Sequence, residues 1–111
     1  MAQQARSRAS DRAASMPQLI WAPAALKDIE RLYQFLAQKN MDAAKRAVQA
    51  IRSEMRIIVK QSHIGRPAQE MEAEFREWLI DFGDSGYVVL YRHDDKNAVI
   101  LAIRHQREVG Y

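Results

Sequence analysis

Three apolar runs occupy the last third of the chain, at residues 75–82, 87–91 and 98–103. They favour β-branched, aromatic and large aliphatic side chains, which pack well on a pleated sheet. Two short polar breaks, GDSG at 83–86 and DDKN at 94–97, separate them with residues that suit tight turns. Because strands joined by such short turns have to be antiparallel neighbours, the pattern predicts a three-stranded antiparallel meander.

Two amphipathic segments precede the meander, with apolar residues every three or four positions along one helical face. The first, residues 23–39, begins with a proline, which is tolerated at a first helical position, but it follows an alanine that caps poorly. The second runs over residues 44–60. The break at 40–42 is short enough to predict an antiparallel helical hairpin, in which Asn40 either ends the first helix or caps the second.

A meander with one apolar face needs a cover, and the helical hairpin can supply it. A short apolar segment at residues 18–22 adds one strand before the helices. The order β-α-α-β-β-β predicts an α+β fold, in which the antiparallel helical hairpin packs on one face of a small antiparallel sheet. We expect residues 17–111 to form a single domain. Residues 1–16 lack apolar periodicity and are predicted to be a flexible N-terminal tail.

Composition excludes several classes of protein. The chain of 111 residues contains no cysteine, so it has neither disulfides nor cysteine-ligated metals. No apolar run approaches the roughly 20 residues that span a bilayer, and no secretory signal is evident, so we expect a cytoplasmic protein. The formal charge is +3, of which residues 1–16 supply +2 from three arginines and one aspartate, so +1 remains for the rest. A nucleic-acid interaction would therefore have to rest on a local cluster of charge.

Few residues suggest chemistry. No glycine-rich phosphate loop, metal-ligand spacing or Ser-His-Asp arrangement stands out, so we expect no metal and no cofactor. Glu70, Glu72 and Glu74 alternate, but a solvated acidic loop is a commoner reason for such a pattern than a metal site. His63 lies in a loop and His93 beside a turn, as surface histidines do. The candidates are therefore confined to basic residues near the ends of strands.

Basic residues at the ends of the predicted strands could form one surface. His105 ends the last strand, and two-residue alternation puts Arg104 on the opposite face. The face of His105 would then also carry Val99, Leu101 and Ile103. If the ends of the outer strands meet, their guanidinium groups form a rim that binds phosphate in a bidentate manner; the alternative is that they pair with nearby carboxylates. The predicted functional rim consists of Arg66, Arg76, Arg104, His105 and Arg107.

Five segments follow one another between Leu19 and about Glu108: LIWAPAALKDIERLYQFL, IGRP, FRE, SGYVVLYR and AVILAIRHQRE. In this order they resemble the RelE/ParE superfamily of small toxins from bacterial type II toxin–antitoxin systems. The resemblance covers nearly everything but the tail and implies the α+β fold above. It also implies one of two activities, since RelE-like members are ribosome-dependent mRNA endoribonucleases and ParE-like members inhibit DNA gyrase.

The resemblance is closer to the ParE branch. The ribonuclease branch implies basic residues where this chain has Leu79, Asp81 and Val88, and these side chains cannot hold a phosphate as a cation does. His105 followed by Arg107 also resembles ParE. We therefore expect a ParE-like toxin, without enzymatic activity of its own, that traps gyrase on cleaved DNA, blocks replication and arrests growth. The alternatives are a family member that only binds its antitoxin, and a ribonuclease with the catalytic set Arg76, Arg104, His105 and Tyr111.

The resemblance also implies a cognate ParD-like antitoxin, whose C-terminal tail is disordered when free and folds on the toxin. The first helix offers a surface for this tail. Phe35 lies off the apolar stripe, as an exposed aromatic side chain would, and large exposed apolar residues mark partner sites. We expect a heteromeric complex in which the antitoxin contacts Leu32, Phe35 and Leu36.

Overall fold

The computed structural model describes residues 18–83, 85–94 and 97–108. The predicted tail at residues 1–16 lies outside the described residues, and so does Tyr111 of the alternative catalytic set. In the described part of the chain, seven elements follow one another: β1 (Gln18–Trp21), α1 (Pro23–Ala37), α2 (Met41–Lys60), β2 (Arg66–Pro67), β3 (Phe75–Phe82), β4 (Ser85–His93) and β5 (Asn97–His105).

The five strands of the described residues form one sheet in the order β1-β5-β4-β3-β2. β3, β4 and β5 make the predicted antiparallel meander, and the α+β fold class is confirmed. Two further pairings make the sheet mixed and wider than predicted. β1 runs parallel to β5, with Leu19 beside Ala98, and the loop after α2 adds β2, which pairs antiparallel with Arg76 and Glu77 of β3.

The two helices begin in different ways. α1 begins at Pro23 after Ala22, whose side chain makes no capping hydrogen bond, so packing has to hold this end. α2 begins after Asn40, whose Oδ1 accepts the N–H of Ala43 at 3.1 Å. Asn40 is thus the N-cap of the second helix and satisfies one free amide of its first turn. Among the described residues, no helix is both long and apolar enough to cross a membrane.

The core lies between the helical hairpin and one face of the sheet. α2 contributes Ile51, Met55 and Ile58, each at most 1% exposed, and β4 contributes Val89 and Tyr91, both fully buried. These residues follow the helical and strand periods seen in the sequence. Because full burial of each large apolar side chain is worth about 1.5–3 kcal/mol, the hairpin and the sheet stabilise each other.

A β-bulge interrupts β5. The pairing with β4 shifts by one residue between Leu90 and Tyr91, which leaves Leu101 as an extra residue in β5. The N–H of Ile103, just beyond the bulge, donates to the Asp28 carboxylate of α1 at 2.9 Å. A helix side chain thus provides the acceptor for a backbone amide that lies beside the irregularity, where a strand partner would normally serve.

Because of the bulge, some residues of β5 lie on a different face of the sheet from the one predicted by two-residue alternation. Ala98 and Ile100, before the bulge, belong to the core between sheet and helices, as does Ile103 after it. His105 follows Ile103 on this face. The expectation that Val99 and Leu101 share the face of His105 is therefore wrong, because one inserted residue reverses the sides of a strand.

Candidate functional site

A cavity of about 650 Å³ lies between the C-terminal half of α1 and the end of the sheet where β4 begins and β5 ends. We call it the α1 groove. Leu32 and Leu36 line it from the helix, and Phe82 and Tyr87 line it from the sheet. Apolar walls with a mainly basic rim suit a ligand that is apolar in the middle and acidic at its edges. The rim consists of Arg31, Lys39, His105, Arg107 and Glu108.

The three residues predicted to bind an antitoxin differ in exposure. Phe35 is 58% exposed beside the groove, which confirms the exposure predicted from its position off the apolar stripe. The Lys39 ammonium lies 4.8 Å from the centre of its ring, in a cation–π contact. Leu32 is 6% exposed and belongs to the core, against which Leu36 packs in part. Phe35 thus offers a partner the most area of the three, and their role in binding stays a prediction.

Ser85 and His105 form a polar pair at the sheet end of the groove. Ser85 Oγ lies 2.8 Å from His105 Nε2, and the N–H of Arg107 donates to His105 Nδ1 at 3.2 Å. Because Nδ1 accepts a hydrogen bond, the neutral ring carries its proton on Nε2 and donates it to the serine. A serine nucleophile needs a histidine that accepts its proton instead. The pair therefore orients the imidazole, which meets the Tyr87 ring edge to face at 5.7 Å between centres.

Glu108 joins the segment after β5 to α1. Its Oε1 accepts from Arg31 Nη1 at 3.0 Å and from the N–H of His105 at 3.3 Å. Burial raises the pKa of this carboxyl, but the two hydrogen bonds and the charges of Arg31 and His105 lower it by more, so the pKa lies below the ordinary value. Glu108 is therefore a carboxylate at neutral pH and bridges α1 and β5 at the rim of the α1 groove.

Arg104 lies on the face of the sheet that carries no described helix. It is half-buried, and its Nη1 donates to the carbonyl oxygens of three of the next four residues, most closely to Glu108 at 2.7 Å. Arg104 and Arg66 both line a second cavity of about 460 Å³ beside residues 67–71. Arg66 forms an ion pair with Glu77 at 3.2 Å. The structure thus brings Arg66 and Arg104, two members of the predicted functional rim, to one cavity. Both arginines already donate hydrogen bonds to groups of the protein itself.

The residues of the predicted functional rim do not lie together, because Arg76 and His105 are at opposite ends of the sheet. Arg76 stands opposite Tyr91, and His105 stands opposite Tyr87, so they are four positions apart along β4, or about 13 Å. β3 and β5 are both antiparallel to β4, so the start of β3 and the end of β5 lie at opposite ends. The expectation that these ends meet is therefore wrong, and Arg76 of the alternative catalytic set lies away from Arg104 and His105.

Arg76 holds the loop after α2 at the far end of the sheet. Its Nη1 donates to the carbonyl of Gly65 at 2.6 Å, and its Nε donates to His93 Nε2 at 3.3 Å. The buried Tyr91 hydroxyl accepts the N–H of Gly65 at 2.9 Å and donates to the carbonyl of Ser62 at 2.8 Å. Burial raises the pKa of Tyr91, although the Gly65 hydrogen bond and the Arg76 charge oppose the shift. We call these five residues the loop anchor.

Comparison with known proteins decides the family. A model of the family described as "ParE toxin of type II toxin-antitoxin system, parDE" matches residues 19–110. The chain belongs to this ParE toxin family. A relative from Caulobacter vibrioides named toxin RelE3 is 34% identical over 86 residues, which are 78% of this chain and 90% of the relative. The protein is thus a type II toxin of the RelE/ParE superfamily, which confirms the resemblance seen in the sequence.

Two solved structures share the fold of this ParE-family toxin. The chromosomal ParDE toxin–antitoxin system from P. aeruginosa matches with a TM-score of 0.62 and 18% identity, over 83% of this chain and 97% of that chain. The toxin–antitoxin complex RelBE2 from Mycobacterium tuberculosis matches with a TM-score of 0.58 and 20% identity, over 80% and 96%. Both branches of the superfamily therefore contain structures with this fold.

Sequence reasoning found the basic residues of the toxin but missed the loop anchor. His63 and His93 were expected to be plain surface groups, yet their rings meet edge to face at 4.4 Å, and His93 is half-buried beside Arg76. A tyrosine inside an apolar run is a signal that a buried hydroxyl needs a partner. In the described part of the toxin, no three His, Asp or Glu side chains are arranged to hold a metal ion.

Proposed function

We propose that this ParE-family toxin acts in the cytoplasm on DNA gyrase, blocks replication and arrests growth, without catalysing a reaction itself. The observation that carries the proposal is the chemistry of the sheet face without helices. Leu79 and Val88 stand opposite each other there, with 43% and 2% exposure. Asp81 follows on the same face and is exposed. These are the positions at which the resemblance to the ribonuclease branch implies cations.

RNA cleavage through the 2′-hydroxyl needs a proton acceptor, a proton donor and a cation around one phosphate. Asp81 repels a phosphate, and the two aliphatic side chains offer neither charge nor proton transfer. The described members of the alternative catalytic set are also distributed over two ends of the sheet. Both observations favour a toxin that acts by binding its target.

The test measures the two activities separately. Purified toxin is added to DNA gyrase, and supercoiling and cleaved DNA are followed on gels; we expect supercoiling to stop and cleaved DNA to accumulate. In cells, induction should raise the DNA damage response before translation falls. Codon-specific cuts in mRNA together with an unchanged DNA damage response would contradict the proposal.

A RelE-like ribosome-dependent mRNA endoribonuclease is the second candidate, and the RelE3 name of the 34% identical relative favours it. Its cations would be Arg66 and Arg104, which line the same cavity on the sheet face without helices. Programmed ribosomes and primer extension test it directly: cleavage by the wild-type toxin that is lost in Arg66→Ala would support this candidate. A toxin with neither activity would be a member that only binds its antitoxin.

We further propose that the cognate ParD-like antitoxin binds in the α1 groove through a segment that combines apolar and acidic residues. The structural neighbours of the toxin are toxin–antitoxin systems. The groove has apolar walls, and among the described residues that line it Arg31, Lys39 and Arg107 outnumber the one carboxylate, Glu108. Charge complementarity of this kind orients a partner and excludes basic segments.

Phe35 provides a test of this site with a matched control. Phe35 and Leu26 are both exposed apolar residues of α1, at 58% and 52%, but only Phe35 lines the α1 groove. Phe35→Asp should weaken antitoxin binding by roughly 30-fold or more, as removal of an interface hot spot does. Leu26→Asp should leave the affinity within about threefold. Calorimetric titration measures both, and equal losses would contradict the assignment.

A further inference from the structure

The outward face of α2 carries a row of basic residues. Lys45, Arg52, Arg56 and Lys60 are all exposed. Their spacings of seven, four and four residues place them on one side of the helix. At 1.5 Å per residue the row is about 22 Å long. We call it the α2 basic stripe.

Carboxylates of the described residues form no ion pairs with the α2 basic stripe. Of the two acidic residues in α2, Asp42 lies in the first turn. Glu54 accepts a hydrogen bond from Trp78 Nε1 of β3 at 2.9 Å and so faces the sheet. A solvated helix face usually mixes both signs of charge, and a row of like charges repels itself. Lys60, in the last turn, complements the helix dipole, but this does not account for Lys45, Arg52 and Arg56.

We propose that the α2 basic stripe binds the phosphate backbone of duplex DNA. DNA carries one phosphate per 3.4 Å of axis on each strand, so a row of about 22 Å spans roughly six phosphates of one strand. Lysine and arginine on exposed stems bind phosphate oxygens without reading bases, so binding is independent of sequence. Charge complementarity is the basis, since the whole chain carries only +3 and the attraction has to come from this local row.

The choice of DNA rests on the proposed function, because gyrase holds duplex DNA where the toxin would act. The stripe and the α1 groove are separate surfaces: the described residues that line the groove come from α1, β3, β4, β5 and their flanking residues. The toxin can therefore contact DNA through α2 with its groove open or filled. A contact with the DNA would hold the toxin at the gyrase–DNA complex and add to its residence time there.

The test measures DNA binding by the purified toxin without gyrase. Fluorescence anisotropy of a labelled 24-bp duplex of random sequence is recorded from 50 to 200 mM salt. Four phosphate contacts predict an affinity that falls roughly 100-fold over this range. Arg52→Ala/Arg56→Ala should weaken binding at least about tenfold at 50 mM salt and reduce the slope of log affinity against log salt by about 1.8. Lys27→Ala/Arg92→Ala removes the same charge from exposed positions outside the stripe and should change affinity less than about twofold.

Three results would overturn the inference: no salt-dependent binding at 50 mM, an equal loss in the control variant, or tighter binding to an RNA duplex of the same sequence. Circular dichroism and thermal melting check that the variants fold as the wild type does. Gyrase inhibition is measured in parallel. If the toxin inhibits gyrase but binds DNA equally well after Arg52→Ala/Arg56→Ala, the α2 basic stripe does not bind DNA, and the proposed function is unaffected. A toxin that binds DNA through the stripe but leaves gyrase active refutes the proposed function alone.

Discussion

The two ends of the sheet use similar side chains for different purposes. At the α1 groove, Arg31, His105 and Glu108 bond to one another and leave a cavity of about 650 Å³ beside them. At the loop anchor, Arg76 and Tyr91 bond to the backbone of a neighbouring loop. Because the side chains of the loop anchor satisfy backbone groups of a distant loop, we expect stability to depend on the anchor and binding to depend on the groove.

The largest effect on stability is expected at Gly65. A Cβ at this position would lie 2.6 Å from the Tyr91 hydroxyl oxygen and 2.7 Å from the carbonyl oxygen of Glu77. Neither the backbone nor a fully buried tyrosine can move easily, so Gly65→Ala should reduce the free energy of unfolding by about 3 kcal/mol, near the top of the range for overpacking. Urea denaturation measures it.

Gly83 is the control for this prediction. A Cβ at Gly83 would meet no atom of the described residues within 4 Å beyond its chain neighbours, and its left-handed backbone, with φ of 62°, is what opposes substitution. Gly83→Ala should therefore cost about 1 kcal/mol. If both alanines cost the same, the close packing of the anchor is not what makes Gly65 necessary.

Two tyrosines on β4 allow a more direct comparison of the two ends of the sheet. Tyr91 and Tyr87 are both almost fully buried, at 0% and 3% exposure. Tyr91→Phe would leave the N–H of Gly65 and the carbonyl of Ser62 without their bonds to the hydroxyl, which costs about 2 kcal/mol for buried groups. Tyr87 lines the α1 groove, and its hydroxyl bonds to no described residue. Tyr87→Phe should therefore change the free energy of unfolding by less than about 0.5 kcal/mol.

Thermal melts of Tyr91→Phe and Tyr87→Phe measure the two losses of stability. A loss at Tyr87 as large as that at Tyr91 would show that the groove end contributes equally to folding. Hydrogen exchange of the Gly65 amide adds a local measure, since Tyr91→Phe should accelerate its exchange more than that of the core strands.

Periodicity was sufficient to predict the helices and the meander, because both follow from which face is apolar. It could not reveal the bulge at Leu101, because β5 is apolar on both sides there (VILAI). A shift of one residue does not change the hydrophobic pattern of a run that is apolar throughout. β2 was also missed, because Arg66 and Pro67 have no apolar alternation. They pair with β3 through tertiary contacts alone.

The candidate site was less predictable than the fold, for two different reasons. The separation of Arg76 from His105 follows from the meander itself, in which alternate strands run parallel, and could have been predicted. The partners of Arg104 and Tyr91 could not, because their acceptors are backbone carbonyls whose positions depend on how two loops close. Side-chain type alone thus identified which residues are polar and near strand ends, but not whether they serve folding or binding.

The smallest expected effect is at Glu108, and it depends on pH. The folded-state pKa of Glu108 lies below the ordinary value of 4.5, so its bonds stabilise the fold fully above that value and lose their effect as the pH falls through the folded pKa. The side chains of Arg31 and Glu108 are 50% and 38% exposed, and solvent screens such a pair to at most about 0.5 kcal/mol. Glu108→Gln should thus lower the melting temperature by about 2 °C at pH 7 and by less at pH 3. Glu72→Gln, in an exposed loop, is the control and should show no such trend. A difference between wild type and Glu108→Gln that grows as the pH falls has the wrong sign for this carboxylate, and it would mean that the groove end is held by another contact.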